Sequence, residues 1–109
     1  KNFFLLSDAL QSNFMVIDQN LKISYLNAPL KKLLSTLEKD IKNVINNFNV
    51  DSLTESNVEN FYNLGNIFKK ITVLTASFSE EIQIGSNILK LTATPVMNSR
   101  HEKIATVLE

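Results

Sequence analysis

Apolar and polar positions follow two different periods along the chain, and the change of period divides it. Phe3, Leu6 and Leu10 fall at helical spacing, with Phe4 and Leu5 widening the apolar face, which predicts a short amphipathic helix over residues 3 to 10. Phe14 to Ile17 is an apolar run closed by the polar turn Asp18-Gln19-Asn20. Ile23, Tyr25 and Leu26 follow it, so two strands joined as a hairpin are predicted. Asn27 reads as an N-cap rather than a polar group of a pocket. Pro29 suits a first helical turn, and Leu30, Leu33, Leu34 and Leu37 recur at steps of three and four, so a helix starts here. Ser35 and Glu38 have capping-box spacing ahead of Ile41, Val44 and Ile45, predicting a second short helix that ends near the Asn-rich stretch 46 to 49. Ser56 and Glu59 repeat the spacing around Val58, Phe61 and Tyr62, and Asn66 is placed to cap a fourth helix carrying Ile67, Phe68, Ile71 and Leu74. From residue 76 the period becomes two. Phe78, Ile82 and Ile84 point one way and Ser79, Glu81 and Gln83 the other, and Leu89, Leu91, Ala93 and Pro95 alternate with Ile88, Lys90, Thr92 and Thr94 beyond the turn at Gly85-Ser86-Asn87. A second polar turn, Asn98 to Glu102, precedes the run Ile104 to Leu108.

This order of a helix, two strands, several short helices and three strands predicts an α+β domain. An antiparallel sheet with the helices across one face hides both sets of apolar stripes and leaves room for a pocket between them. Composition narrows the picture. With 109 residues, 44% apolar and 20% charged, the chain suits one soluble domain. Eleven basic residues balance eleven acidic ones, so the positive field that nucleic acid demands is missing. No apolar run is long enough to span a bilayer, and the lack of cysteine removes disulfides and thiolate chemistry while agreeing with a reducing compartment. A start at Lys1 and a stop within a strand-like run lead us to expect a piece of a longer protein.

Catalytic constellations are sparse. His101 is the single histidine and falls in the last turn, so neither a Ser-His-Asp arrangement nor a multi-ligand metal site is suggested, and His101 reads as a solvated turn residue. Gly65 and Gly85 stand too far apart to write a phosphate-binding loop, and the pairs Lys31-Lys32 and Lys69-Lys70 read as solvated helix surface. A binding module rather than an enzyme is expected.

Residues 12 to 27, with Asp18, Ile23, Tyr25 and Asn27 spaced as Asp-turn-Ile-x-Tyr-x-Asn, resemble the opening strands of a PAS domain. Asp40-Ile41, Asn47-Phe48, Leu53, Asn57-Val58, Phe61, Ile84-Gly85, Leu91 and Thr94-Pro95-Val96 extend the likeness to the PAS sensor domains of bacterial methyl-accepting chemotaxis receptors, some of which hold haem b. The resemblance implies a five-stranded antiparallel sheet of order 2-1-5-4-3, with short helices over one face, over residues 12–109, and a flanking helix over residues 1–11. It implies a cytoplasmic sensory domain that relays ligand or cofactor binding to signalling domains of the same protein. A homodimer paired through the N-terminal helix and the sheet is also implied, and a ligand-free dimerisation module is the alternative. In the haem-binding relatives a Phe-His pair supplies the iron ligand. Here that pair reads Phe61-Tyr62, and Ile67 stands where a second His often occurs, so the resemblance puts Tyr62 at the haem-ligand position and Leu91 on the strand that lines the pocket.

Overall fold

The protein is described by a computed structural model over residues 13–108; the helix expected at 3 to 10 and the flanking segment 1–11 lie outside the described residues. Five strands form one antiparallel sheet: β1 (Met15–Asp18), β2 (Ile23–Leu26), β3 (Phe78–Ile84), β4 (Asn87–Met97) and β5 (Lys103–Leu108). Their spatial order is β2-β1-β5-β4-β3. The last strand therefore inserts beside the first, Met15 facing Leu108 and Asp18 facing Ala105. Two hairpins complete the sheet, Met15 opposite Leu26 on one side and Phe78 opposite Ala93 on the other.

Local chemistry fixes the turns. Asp18 Oδ1 accepts from the backbone N–H groups of Asn20 and Lys22, at 2.8 and 3.0 Å. Asn98 Oδ1 does the same for Arg100 and Glu102 in the β4–β5 turn, at 2.8 and 3.0 Å. A carboxylate or amide oxygen that closes its own backbone two residues on is what makes Asp and Asn turn formers. His101 occupies that second turn, exposed, with a left-handed φ of 63°.

Between the hairpins lie helix α1 (Ala28–Lys42), helix α2 (Ile67–Lys70) and three 3-10 turns, Val50–Ser52, Val58–Phe61 and Ile71–Val73. Asn27 caps α1, as expected: its Oδ1 accepts from Leu30 N–H at 3.2 Å. The helix break expected at Ser35 does not occur. Ser35 Oγ instead donates to Lys31 carbonyl at 2.9 Å, a bond that helix interiors accommodate. Glu38 turns away from its own backbone to accept from Val50 N–H at 3.0 Å.

α1 crosses the whole sheet. It begins at the end of edge strand β2, where Asn27 bonds Phe14, and ends where an Asp40 oxygen lies 2.6 Å from the position a Cβ on Gly85 would take. Fifteen helical residues reach about 22 Å, and four inter-strand gaps amount to about 19 Å, so one helix suffices. Gly85 itself holds a left-handed φ of 60°, which with the Asp40 approach leaves no other residue type comfortable in that turn.

The core lies between sheet and helices. Ile17, Ile23, Ile41, Val58, Ile67 and Ile71 are fully buried, each worth about 1.5–3 kcal/mol relative to an exposed side chain. β3 alternates as the sequence predicts, Ile82 and Ile84 facing inward and Ser79, Glu81 and Gln83 outward. On the outer face Ser79 and Thr92 hydroxyls bond across the ladder at 2.8 Å.

Candidate functional site

Three walls border an open-mouthed cavity of about 140 Å³. The sheet contributes Met15, Ile23, Ile82, Ile84, Leu89 and Leu91; α1 contributes Leu30, Leu33, Leu34 and Ile41; the loop and short turns contribute Phe48, Leu53, Phe61, Leu64 and Phe68. Only Asn13 and Lys90 bring polar groups, and both are exposed. α1 explains the shape. Leu37 and Ile41 in its second half are buried, whereas Leu30, Leu33 and Leu34 in its first half are half-exposed and face the space. Leu89 and Leu91 are likewise half-buried, so the cavity opens between β4 and the start of α1.

The third wall is aromatic. Phe48 and Phe61 meet edge to face with centroids 6.3 Å apart, and Phe61 and Phe68 are tilted at 5.9 Å. These rings sit on segments too short to hold themselves, since a lone helical turn loses more entropy than its few bonds return. Long-range bonds secure them. Glu80 on β3 accepts from Ile67 N–H at 2.7 Å and so caps α2, the role that sequence spacing assigned to Asn66, which makes no side-chain cap bond. Gly65 permits the approach: a Cβ there would lie 2.6 Å from Ile82 Cγ2 and 3.1 Å from Glu80 Oε1. Lys103 on β5 donates to the carbonyls of Ile71 and Leu74, at 2.5 and 3.3 Å, and satisfies the far end of the same segment. Segment 55 to 58 bonds the outer edge of β2, with Ile23 N–H to Ser56 carbonyl at 2.8 Å and Glu55 N–H to Ile23 carbonyl at 2.7 Å.

The two residues singled out from sequence part company. Leu91 lines the cavity. Tyr62 packs half-buried against the core as the C-cap of the Val58–Phe61 turn, and the ring presented to the cavity at this place is its neighbour Phe61. Phe48 and the leucines of α1 carry no sequence signal as site residues, because an apolar side chain facing a cavity has the same signature as one facing a neighbour. Asn27 is fully buried and does not line the cavity.

No family model matches the chain. Among known proteins, the methyl-accepting chemotaxis protein McpB of Pseudomonas aeruginosa is 26% identical over 103 residues, and the matched region covers 94% of this chain but 15% of that protein. Among solved structures, the Aer2 receptor from Vibrio cholerae, described as a dual PAS-haem oxygen sensor, superposes with a TM-score of 0.72 at 24% identity, covering 88% of each chain. The PAS domain of BvgS from Bordetella pertussis gives a TM-score of 0.55 at 10% identity, covering 98% of this chain and 78% of the other. The PAS domain of nitrogen regulation protein NR(II) from Vibrio parahaemolyticus gives 0.55 at 12%, covering 100% and 97%. The chain has the PAS fold. Within this fold the residues present do not suit haem. The iron is commonly held by a proximal His, a Cys thiolate, a Met with His or a Tyr, yet Tyr62 lies outside the cavity, His101 is exposed in the β4–β5 turn and the chain has no Cys. Met15 offers a thioether with no His to pair it, and the space is far below the roughly 300–1,000 Å³ of pockets for larger ligands. Among the described residues no group of three His, Cys, Asp or Glu side chains gathers to hold a metal ion, and no helix is long and apolar enough to cross a membrane.

Proposed function

We propose that this PAS domain is the sensory module of a chemoreceptor-type signalling protein, binding a small ligand in the cavity between sheet and helices and relaying its occupancy through the sheet. The observation that carries the reading is the cavity itself, with one wall on rigid strands and another on short turns held by long-range bonds. Such turns shift at lower free-energy cost than long helices. The likeness to McpB supports the chemoreceptor setting. On this reading the domain is cytoplasmic, does no chemistry, acts on signalling domains of the same protein and pairs with a second copy through residues 1–11 and the sheet.

The route outward runs through Lys103. Phe68 on α2 faces the cavity, the segment after α2 is bonded to Lys103, and β5 is hydrogen-bonded to both β1 and β4. A ligand moves this equilibrium only by its different affinity for the two arrangements. Leu34→Phe, which puts a ring into the cavity, tests the relay by amide hydrogen exchange of the 109-residue chain. Exchange is expected to slow both in segment 48 to 74 and in β5. Unchanged β5 amides in a folded variant would refute the relay.

A further inference from the structure

Taking the cavity as the sensory site, we infer that its ligand is an uncharged, apolar molecule about the size of one aromatic ring, and that haem is not its cofactor. Size is the first argument. An engineered cavity of about 150 Å³ lined by Leu, Ile and Phe stays dry and takes benzene or xenon, and this one measures about 140 Å³ with the same three side-chain types dominating its walls. A fused or macrocyclic ligand would have to displace the Phe48, Phe61 and Phe68 wall or stand out through the mouth between β4 and α1, where it gains no apolar contact on its outer side.

Polarity is the second. A site shaped to hydrogen-bond its ligand holds donors or acceptors aimed at it, but among the described residues every buried side-chain nitrogen and oxygen already has a partner within the protein. An ionised ligand entering this space would lose its hydration with nothing to replace it. Of the two polar residues in the lining, Asn13 is exposed and does not change that, and neither does Lys90. It is exposed and registers opposite Glu81, on the sheet face turned away from Leu89 and Leu91, so it touches only the rim. The third argument is ring geometry. Phe61 already meets Phe48 edge to face, and an aromatic guest finds the same edge and face partners that aromatic pairs prefer.

Titration of the 109-residue chain with toluene, benzoate and haem separates the possibilities, followed by thermal unfolding for the first two and by absorbance for haem. Toluene is expected to raise the unfolding midpoint saturably, benzoate at the same concentration to leave it unchanged, and haem to give no stoichiometric Soret band. Leu34→Phe and Leu89→Phe, on opposite walls, are each expected to weaken toluene binding at least tenfold, so that one folded variant suffices. Benzoate binding as tightly as toluene, or a stoichiometric Soret band, would overturn the ligand class while leaving the cavity as the sensory site. Failure of all three probes to bind would overturn both. Toluene binding undiminished in either folded variant would place it elsewhere on the molecule and also overturn the inference.

Discussion

Asn27 does more at the residue scale than end a strand. Fully buried, it accepts through Oδ1 from Leu30 N–H on α1 and from Phe14 N–H at 3.0 Å, while its own N–H donates to Phe14 carbonyl at 3.0 Å. One amide thus satisfies the start of a helix and the backbone before β1 together. Asn27→Ala removes the oxygen that accepts from both N–H groups, and losing a buried hydrogen-bond acceptor costs about 1–3 kcal/mol. Urea unfolding is expected to show a loss of that order, with the transition still cooperative. This residue was legible in the sequence because its bond to Leu30 is local, three positions along the chain, and spacing alone exposes it. Glu80 was not, since its bond to Ile67 spans 13 positions and depends on β3 being folded against α2. Asn66, next to α2 and of the right type, is the cap that a local pattern points to, because sequence proximity is all that such a pattern can weigh.

At the scale of elements, the sheet and the helical region differ in what holds them. Strand periodicity survives tertiary packing, so β3, β4 and both polar turns match their sequence patterns closely. The helical region was less legible. Ser35 and Glu38 have capping-box spacing, but the i and i+4 apolar rhythm runs straight through them, and continuing an existing helix avoids the cost of nucleating another. The result is one helix, Ala28–Lys42, where two were expected. The segments beyond it are brief and lean on Glu38, Glu80 and Lys103, each bonding backbone groups that the segment itself cannot satisfy. Glu80→Ala removes the acceptor for Ile67 N–H and with it about 1.5–3 kcal/mol, the usual range for a hydrogen bond to a charged group. Amide exchange is expected to accelerate over residues 64 to 74 far more than in β1 or β2. Uniform acceleration across the sheet would mean that these turns share the cooperativity of the sheet instead of moving apart from it.

On the scale of the whole molecule, the fold was read from the chain in two ways. The succession of helices and strands came from periodicity, whereas the order β2-β1-β5-β4-β3 came from the resemblance of residues 12 to 27 and the later matching positions, because alternation says which face a side chain takes but not which strand lies beside it. The cavity was foreseen only as room between sheet and helices. Its volume depends on how far the first half of α1 stands from β4, a distance that no pattern of leucines encodes. The leucines and phenylalanines of this molecule meet incompletely, leaving about 140 Å³ between apolar walls, although protein interiors are otherwise packed as densely as organic crystals. Diffraction from crystals of the 109-residue chain pressurised with xenon examines that space directly. The account predicts a strong xenon peak bounded by Leu34, Phe61 and Leu91; an absence of xenon between α1 and the sheet, with side chains closed over the site, would contradict it.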